Sequence, residues 1–291
     1  MAVNSVFSSG RVLVVAFEGW NDAGEAASGA VRTLREQLEV TPVLQLDPED
    51  YFDYQFTRPT IAADETGRRV ISWPAVTMHG PVIPMDTSIY LLAGTEPSRG
   101  WKTFVSEVID AAEVNGIAGI LFLGAMLADV PHTRPISTFV SSENDEIRAQ
   151  LEIERSGYEG PVGILSVLAD AAERAGIPTV SVWASVPHYV QNAPSPKATL
   201  ALIDRLEEIM GVTVTRGDLL DEAQAWESGI DALASDDDDM SSYIEQLEQA
   251  RDTVDSPEAS GDAIAEEFER YLRDGDEGKT DGIAGNEPWK P

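Results

Sequence analysis

The chain has 291 residues, enough for one large domain or a domain with an appendage, and 43% of them are hydrophobic, enough for a sizeable core. Its 51 acidic residues stand against 20 basic ones, a formal net charge of −31, which argues against a nucleic-acid backbone as partner and disfavours an anionic membrane surface. There are no cysteines, so disulfides, thiolate metal sites and a cysteine nucleophile are excluded, and no run approaches the roughly 20 apolar residues of a membrane helix.

Met1 to Gly10 has neither a basic start nor an apolar core, so no secretory leader is expected and a cytoplasmic protein is. Arg11 to Phe17 is a continuous β-branched run and reads as a strand buried on both faces, as in a parallel sheet. Asp22 is placed to cap the next helix, with Glu25 reaching back in a capping box, and Ala27, Ala30, Val31, Leu34 and Leu38 share one face of that helix. Thr41 to Leu46 reads as a second strand. It runs into Asp47 to Phe56, acidic and rich in aromatics, which is expected to pack against something, such as a subunit. Arg69 to Trp73 reads as a short strand and Ser88 to Gly94 as a buried one. Trp101, Phe104, Val105, Val108, Ile109 and Ala112 predict a helix closed by Asn115-Gly116.

Gly116 to Gly124 reads as the most central strand. It delivers the chain to Leu127-Ala128-Asp129-Val130-Pro131-His132-Thr133-Arg134-Pro135, where two prolines hold the segment extended. Ile136 to Val140 is a further strand candidate, Ser142 to Ile153 a helix, and Gly163 to Ala175 a helix with Leu165, Leu168 and Ala172 inward. Pro178 to Ala184 is a strand that feeds a second Val-Pro-His, at Val186 to His188. Ser195-Pro196 starts a helix with Leu202, Ile203, Leu206, Ile209 and Met210 inward and Gly211 at its end. Strand and helix alternate throughout, which predicts an α/β fold, a mostly parallel sheet with helices on both faces.

From Gly217 onward there are 23 acidic and 5 basic residues, a net of −18. The expected division is therefore 1–216 as an α/β core, 217–273 as an acidic helical appendage and 274–291 as a disordered tail. In the appendage Leu219, Ala223, Trp226, Ile230 and Leu233 form one apolar stripe, Met240, Tyr243, Ile244, Leu247 and Val254 a second, and Ile264, Phe268 and Leu272 a third. The aspartates from Asp236 to Asp239 read as a solvated linker and not as a calcium loop.

Parallel sheets bind ligands beyond the carboxyl ends of their strands. Four predicted strands end in polar clusters: Glu18 with Asn21 and Asp22; Thr95 with Glu96 and Arg99; Asp129 with His132 and Arg134; and His188 with Tyr189. A parallel sheet would bring all four to one rim, as a binding pocket or as packed loops. Only three histidines exist, and two follow Val-Pro. Ser185 lies near His188, but there is no Gly-x-Ser-x-Gly elbow. No His-x-x-x-His, Walker-type loop or hard-cation loop appears either, so no metal or cofactor is expected.

The segments Phe17 to Ala27, Asp47 to Asp53, Gly94 to Ser98, Leu127 to Pro135, and Val186 to Val190 with Pro194 to Leu202 resemble the proteasome assembly chaperone 2 family in its actinobacterial form. The resemblance implies a fold similar to purine nucleoside phosphorylases and a homo-oligomer, for which a trimer is the guess. It points to a non-enzymatic assembly or interaction protein whose partners are copies of itself and another protein complex, not nucleic acid or membrane. The alternative is a nucleoside hydrolase or phosphorylase using the rim, with His132 as general acid or base and Arg134 as an anion clamp.

Overall fold

The computed structural model describes residues 5–190 and 193–254. The apolar runs become strands because they can bury both faces at once. In β1 (Val12–Glu18), Val12, Val14 and Ala16 enter one hydrophobic layer while Leu13, Val15 and Phe17 enter the other. Each such valine, leucine or phenylalanine side chain contributes about 1.5–3 kcal/mol over its exposed state. Beside β1 on either side lie β6 (Ile89–Thr95) and β7 (Gly119–Ala128), both parallel to it, and β9 (Thr179–Pro187) runs parallel to β7. Two antiparallel strands, β5 (Val76–Pro81) and then β2 (Val40–Gln45), continue the sheet past β6, and β8 (Thr138–Ser141) closes it past β9. The order is β2-β5-β6-β1-β7-β9-β8. Five of these seven strands point the same way, so the sheet is mostly parallel, as expected.

Helices cover both faces. On one lie α1 (Val6–Ser9), α2 (Ala26–Gln37) and α7 (Pro196–Met210); on the other, α3 (Pro48–Tyr51), α4 (Trp101–Val114) and α6 (Ile164–Arg174). The predicted inward faces of α2, α4, α6 and α7 are the buried ones. Ser195 caps α7 by accepting from Ala198 N–H, and Gly211 ends it at φ 67°. A shorter helix, α5 (Asp145–Leu151), starts three residues later than Ser142 and is capped by Asn144.

The chain divides into two compact units, up to Asp237 and from Asp238. The first includes α8 (Leu219–Ser235), which packs along α7. Of its expected stripe, Ala223 and Ile230 are buried, whereas Leu233 is exposed and Ala234 takes the inward place. In the second unit Asp238 and Asp239 form the first turn of α9 (Asp238–Val254), while Asp236 caps the end of α8. The third expected stripe and the tail from 274 lie outside the described residues.

One further expectation is corrected. Asp22 does not pair with Glu25 in a capping box. A 3-10 turn with Gly24 at φ 60° and Glu25 at φ 49° intervenes, and the Asp22 carboxylate reaches past it to accept from Ala27 and Ser28 N–H at 2.8 and 3.1 Å. The aromatic segment is packed, as expected, here on its own body: Tyr51 and Phe52 are buried, Tyr51 meets Phe104 edge-on and donates to Glu107, and Phe56 projects. The short strand expected at Arg69 is present as β4 (Arg69–Ser72), in an antiparallel hairpin with β3 (Thr60–Ala63). Among the described residues no helix is long and apolar enough to cross a membrane.

Candidate functional site

The carboxyl ends of β6, β1, β7 and β9 lie on one rim, with Glu18 paired to Thr95 and Ala128 to Pro187. The rim polar residues form separate bonded groups. At the β1–β6 end the Thr95 hydroxyl donates to Glu18 at 3.2 Å, and Asn21 Nδ2 donates to Glu96 Oε1 at 3.2 Å. The same Glu96 oxygen accepts from Ile164 N–H at 2.9 Å and so also caps the start of α6. Asn21 is fixed from behind, because its carbonyl accepts from Ala125 N–H at 2.8 Å. The fit needs Gly163, where a Cβ would stand 2.4 Å from Asn21 Nδ2. Asp22 is spent on α2, and burial pushes its carboxyl above the usual range against the pull of the Ser28 and Ala27 hydrogen bonds. Arg99 donates to the Glu49 carbonyl on α3 and does not join this group.

At the β7–β9 end His132 is 1% exposed. Its backbone N–H donates to the Tyr189 hydroxyl at 2.7 Å, and Nδ1 lies 2.9 Å from that same oxygen. Nε2 lies 3.0 Å from the Asp231 carboxylate on α8. A hydroxyl that accepts from the backbone and donates to Nδ1 leaves Nε2–H to donate to Asp231. The ring also meets Trp226 of α8 edge-on at 6.4 Å, and Lys197 of α7 donates to the His132 carbonyl at 2.5 Å while pairing with Glu227 of α8. The predicted histidine thus fastens α7 and α8 to the strand ends.

His188 sits beside it. Tyr189 stands edge-on to both imidazoles, at 5.9 Å from His132 and 5.7 Å from His188. His188 Nδ1 lies 3.2 Å from Asp129, which is 80% exposed. Arg134 is half-buried and donates to the Thr133 hydroxyl at 3.3 Å. Ser185 is buried within β9, its N–H bonded to Ser137, so it belongs to the ladder and not to a nucleophile pair.

The nine predicted residues therefore share a rim but divide between its two ends. A cleft of about 480 Å³ lies elsewhere, between α2, the start of α7 and residues 215–222, and none of the nine lines it. Lys197, Trp226, Glu227 and Asp231 were missed as partners of His132. Trp226 belongs to the first apolar stripe, but nothing in the sequence ties α8 to a histidine 99 positions before Asp231. Among the described residues no group of three or more histidines and carboxylates could hold a metal ion.

Comparison with known proteins agrees with this architecture. A Streptomyces avermitilis PAC2 family protein is 41% identical, with a TM-score of 0.72 over 80% of this chain and 99% of its own. A Mycobacterium tuberculosis protein described as a proteasome-assembly chaperone homologue is 39% identical, with a TM-score of 0.71 over the same shares. Pyrococcus furiosus PbaA, described as an archaeal homologue of proteasome-assembly chaperone, shares the fold at 17% identity, with a TM-score of 0.54 over 84% of this chain and 96% of its own. No curated protein sequence matches significantly. The PAC2 family model matches residues 16–234. The chain belongs to the PAC2 family.

Proposed function

We propose that this chain is a non-enzymatic assembly or interaction protein of the cytoplasm, that it acts as a homo-oligomer, and that components of a proteasome are its partner class. The similarity to a proteasome-assembly chaperone homologue at 39% identity supports the partner class. The state of His132 carries the non-enzymatic reading. A general acid or base must offer a ring nitrogen to substrate. Here both nitrogens are engaged by Tyr189 and Asp231, the ring is buried, and Trp226 lies against it. The nucleoside-enzyme alternative would need that packing undone.

The test is co-expression of the full chain with the proteasome α- and β-subunits of its own organism, read by native mass spectrometry. The reading expects the chain to co-migrate with a subunit assembly intermediate and to raise the yield of closed rings. Absence of any complex, with ring yield unchanged, would count against the proteasome. Turnover of a nucleoside that is abolished by His132→Gln would replace the reading with the enzymatic one.

A further inference from the structure

The β3–β4 hairpin leaves the body where β5 begins, and Val76 of β5 pairs with Gly94 at the carboxyl end of β6. It therefore projects from the same rim as the polar groups, and Trp20, on the loop after β1, is 65% exposed there. Every residue from Thr60 to Trp73 is exposed. The register pairs Ile61 with Ile71 on one face and Ala62 with Val70 on the other, so both faces carry an apolar pair. Two-stranded ribbons in water are marginal unless something packs on them.

This ribbon is nonetheless a defined object. At its tip the Asp64 carboxylate accepts from Thr66 N–H, the Thr66 hydroxyl and Arg68 N–H, and Gly67 turns the chain at φ 80°. Those bonds, the Thr66 hydroxyl first, hold the Asp64 carboxyl below its usual range. At its base Tyr54 and Trp73 meet edge-on at 4.8 Å. Phe56, 85% exposed, stands just before the first strand.

Its charge is opposite to that of the molecule. Residues 56–73 hold three arginines and two acids, a net of +1, in a chain of net charge −31. Among the described residues no hydrogen bond or ion pair engages the guanidinium groups of Arg58, Arg68 and Arg69, although acids outnumber bases more than two to one in the chain. An arm that is apolar on both faces and carries unpaired arginines fits a surface that is acidic around an apolar patch. A second copy of this chain, with 51 acidic residues against 20 basic ones, has the complementary charge.

We infer that the β3–β4 hairpin is the self-association arm of this protein: it seats its Ile61–Ile71 and Ala62–Val70 pairs, with Arg58, Arg68 and Arg69, on a second copy of the chain. The inference deepens the homo-oligomer reading above and rests on it. The experiment compares the full wild-type chain with two full-length variants, Ile61→Ser/Ile71→Ser and Arg58→Glu/Arg68→Glu/Arg69→Glu, by light scattering after gel filtration over a dilution series. Near-UV circular dichroism confirms that the fold is intact. The expected result is an oligomeric wild type and, for both variants, a self-association constant weakened by at least about tenfold. A monomeric wild type would overturn the homo-oligomer reading itself. An oligomeric wild type whose variants associate equally well would overturn the arm alone. Variants that keep their oligomeric state but lose a proteasome subunit bound by the wild type would reassign the arm to that subunit and overturn the inference.

Discussion

Two regions of this molecule, the buried His132 cluster and the β3–β4 arm, look opposite in sequence and in structure. Around His132 lie the residue types from which chemistry is built, an imidazole, a phenol, a carboxylate and an ammonium, and each is bonded to another part of the same chain. The arm has none of that chemistry, yet it exposes apolar pairs on both faces and arginines among a large excess of acid. Groups already satisfied within the fold contribute stability, while groups left unsatisfied are available to something outside it. On the inference drawn above, the arm is the interacting surface, while the bonds of the histidine cluster hold α7 and α8 to the strand ends.

That contrast can be broken by substitution. The largest effect belongs to His132→Ala, which opens a cavity and strips partners from Tyr189 and Asp231. It is expected to lower stability by about 3 kcal/mol, read from the shift in urea midpoint. A loss below about 1 kcal/mol would mean that the cluster is not packed interior. Next, Asp22→Ala leaves two α2 N–H groups without an acceptor and is expected to cost about 1–2 kcal/mol. Asp22→Asn keeps an acceptor and sharpens the point through pH. The folded Asp22 carboxyl has a raised pKa, so its favourable contribution is full below the ordinary value of 3.8 and is lost as pH rises through the folded pKa. The wild type should therefore gain on Asp22→Asn as the pH is lowered through that range, in paired denaturant titrations.

Between the two regimes lies the turn after α7, where Glu207 accepts from Arg216 and from Val214 N–H. Those bonds, the Arg216 pair first, bring Glu207 down to about 2 from 4.5. Glu207→Gln is expected to cost about 1 kcal/mol near neutral pH, and the wild-type advantage should fade as pH falls from the unfolded value through about 2. Asp231 is 58% exposed, so Asp231→Asn should cost only about 0.5 kcal/mol despite facing His132. Smallest of all, Ile61→Ser/Ile71→Ser should change the stability of the isolated fold by no more than about 0.5 kcal/mol, since both side chains are already in water. A large loss there would show that the arm packs on its own body.

Much of this layout was legible in the sequence. The buried strands of the sheet's centre announced themselves as uninterrupted apolar runs because they face helices on both sides. The inward faces of α2, α4 and α7 followed from helical spacing because each buries one side only. The shared rim followed from the strands' common direction. What escaped had weak local signals. The strand β5 contains Met78-His79-Gly80-Pro81 and reads like a turn; its Gly80 leaves room for Tyr90, which a Cβ would meet at 2.6 Å. Thr60 to Ala63 is too short and too rich in alanine to announce a strand, so its pairing with β4 went unread. The role of His132 depended on Asp231 and Trp226 arriving from α8, a contact made by tertiary packing and not by spacing.

The most direct test is hydrogen–deuterium exchange on the full chain at low and high protein concentration, followed segment by segment. The account predicts that the amides of Thr60–Ala63 and Arg69–Ser72 become protected as concentration rises, while the His132 amide, bonded to the Tyr189 hydroxyl, is protected at every concentration. Hairpin amides that exchange at one rate throughout, or a His132 amide that exchanges freely, would contradict it.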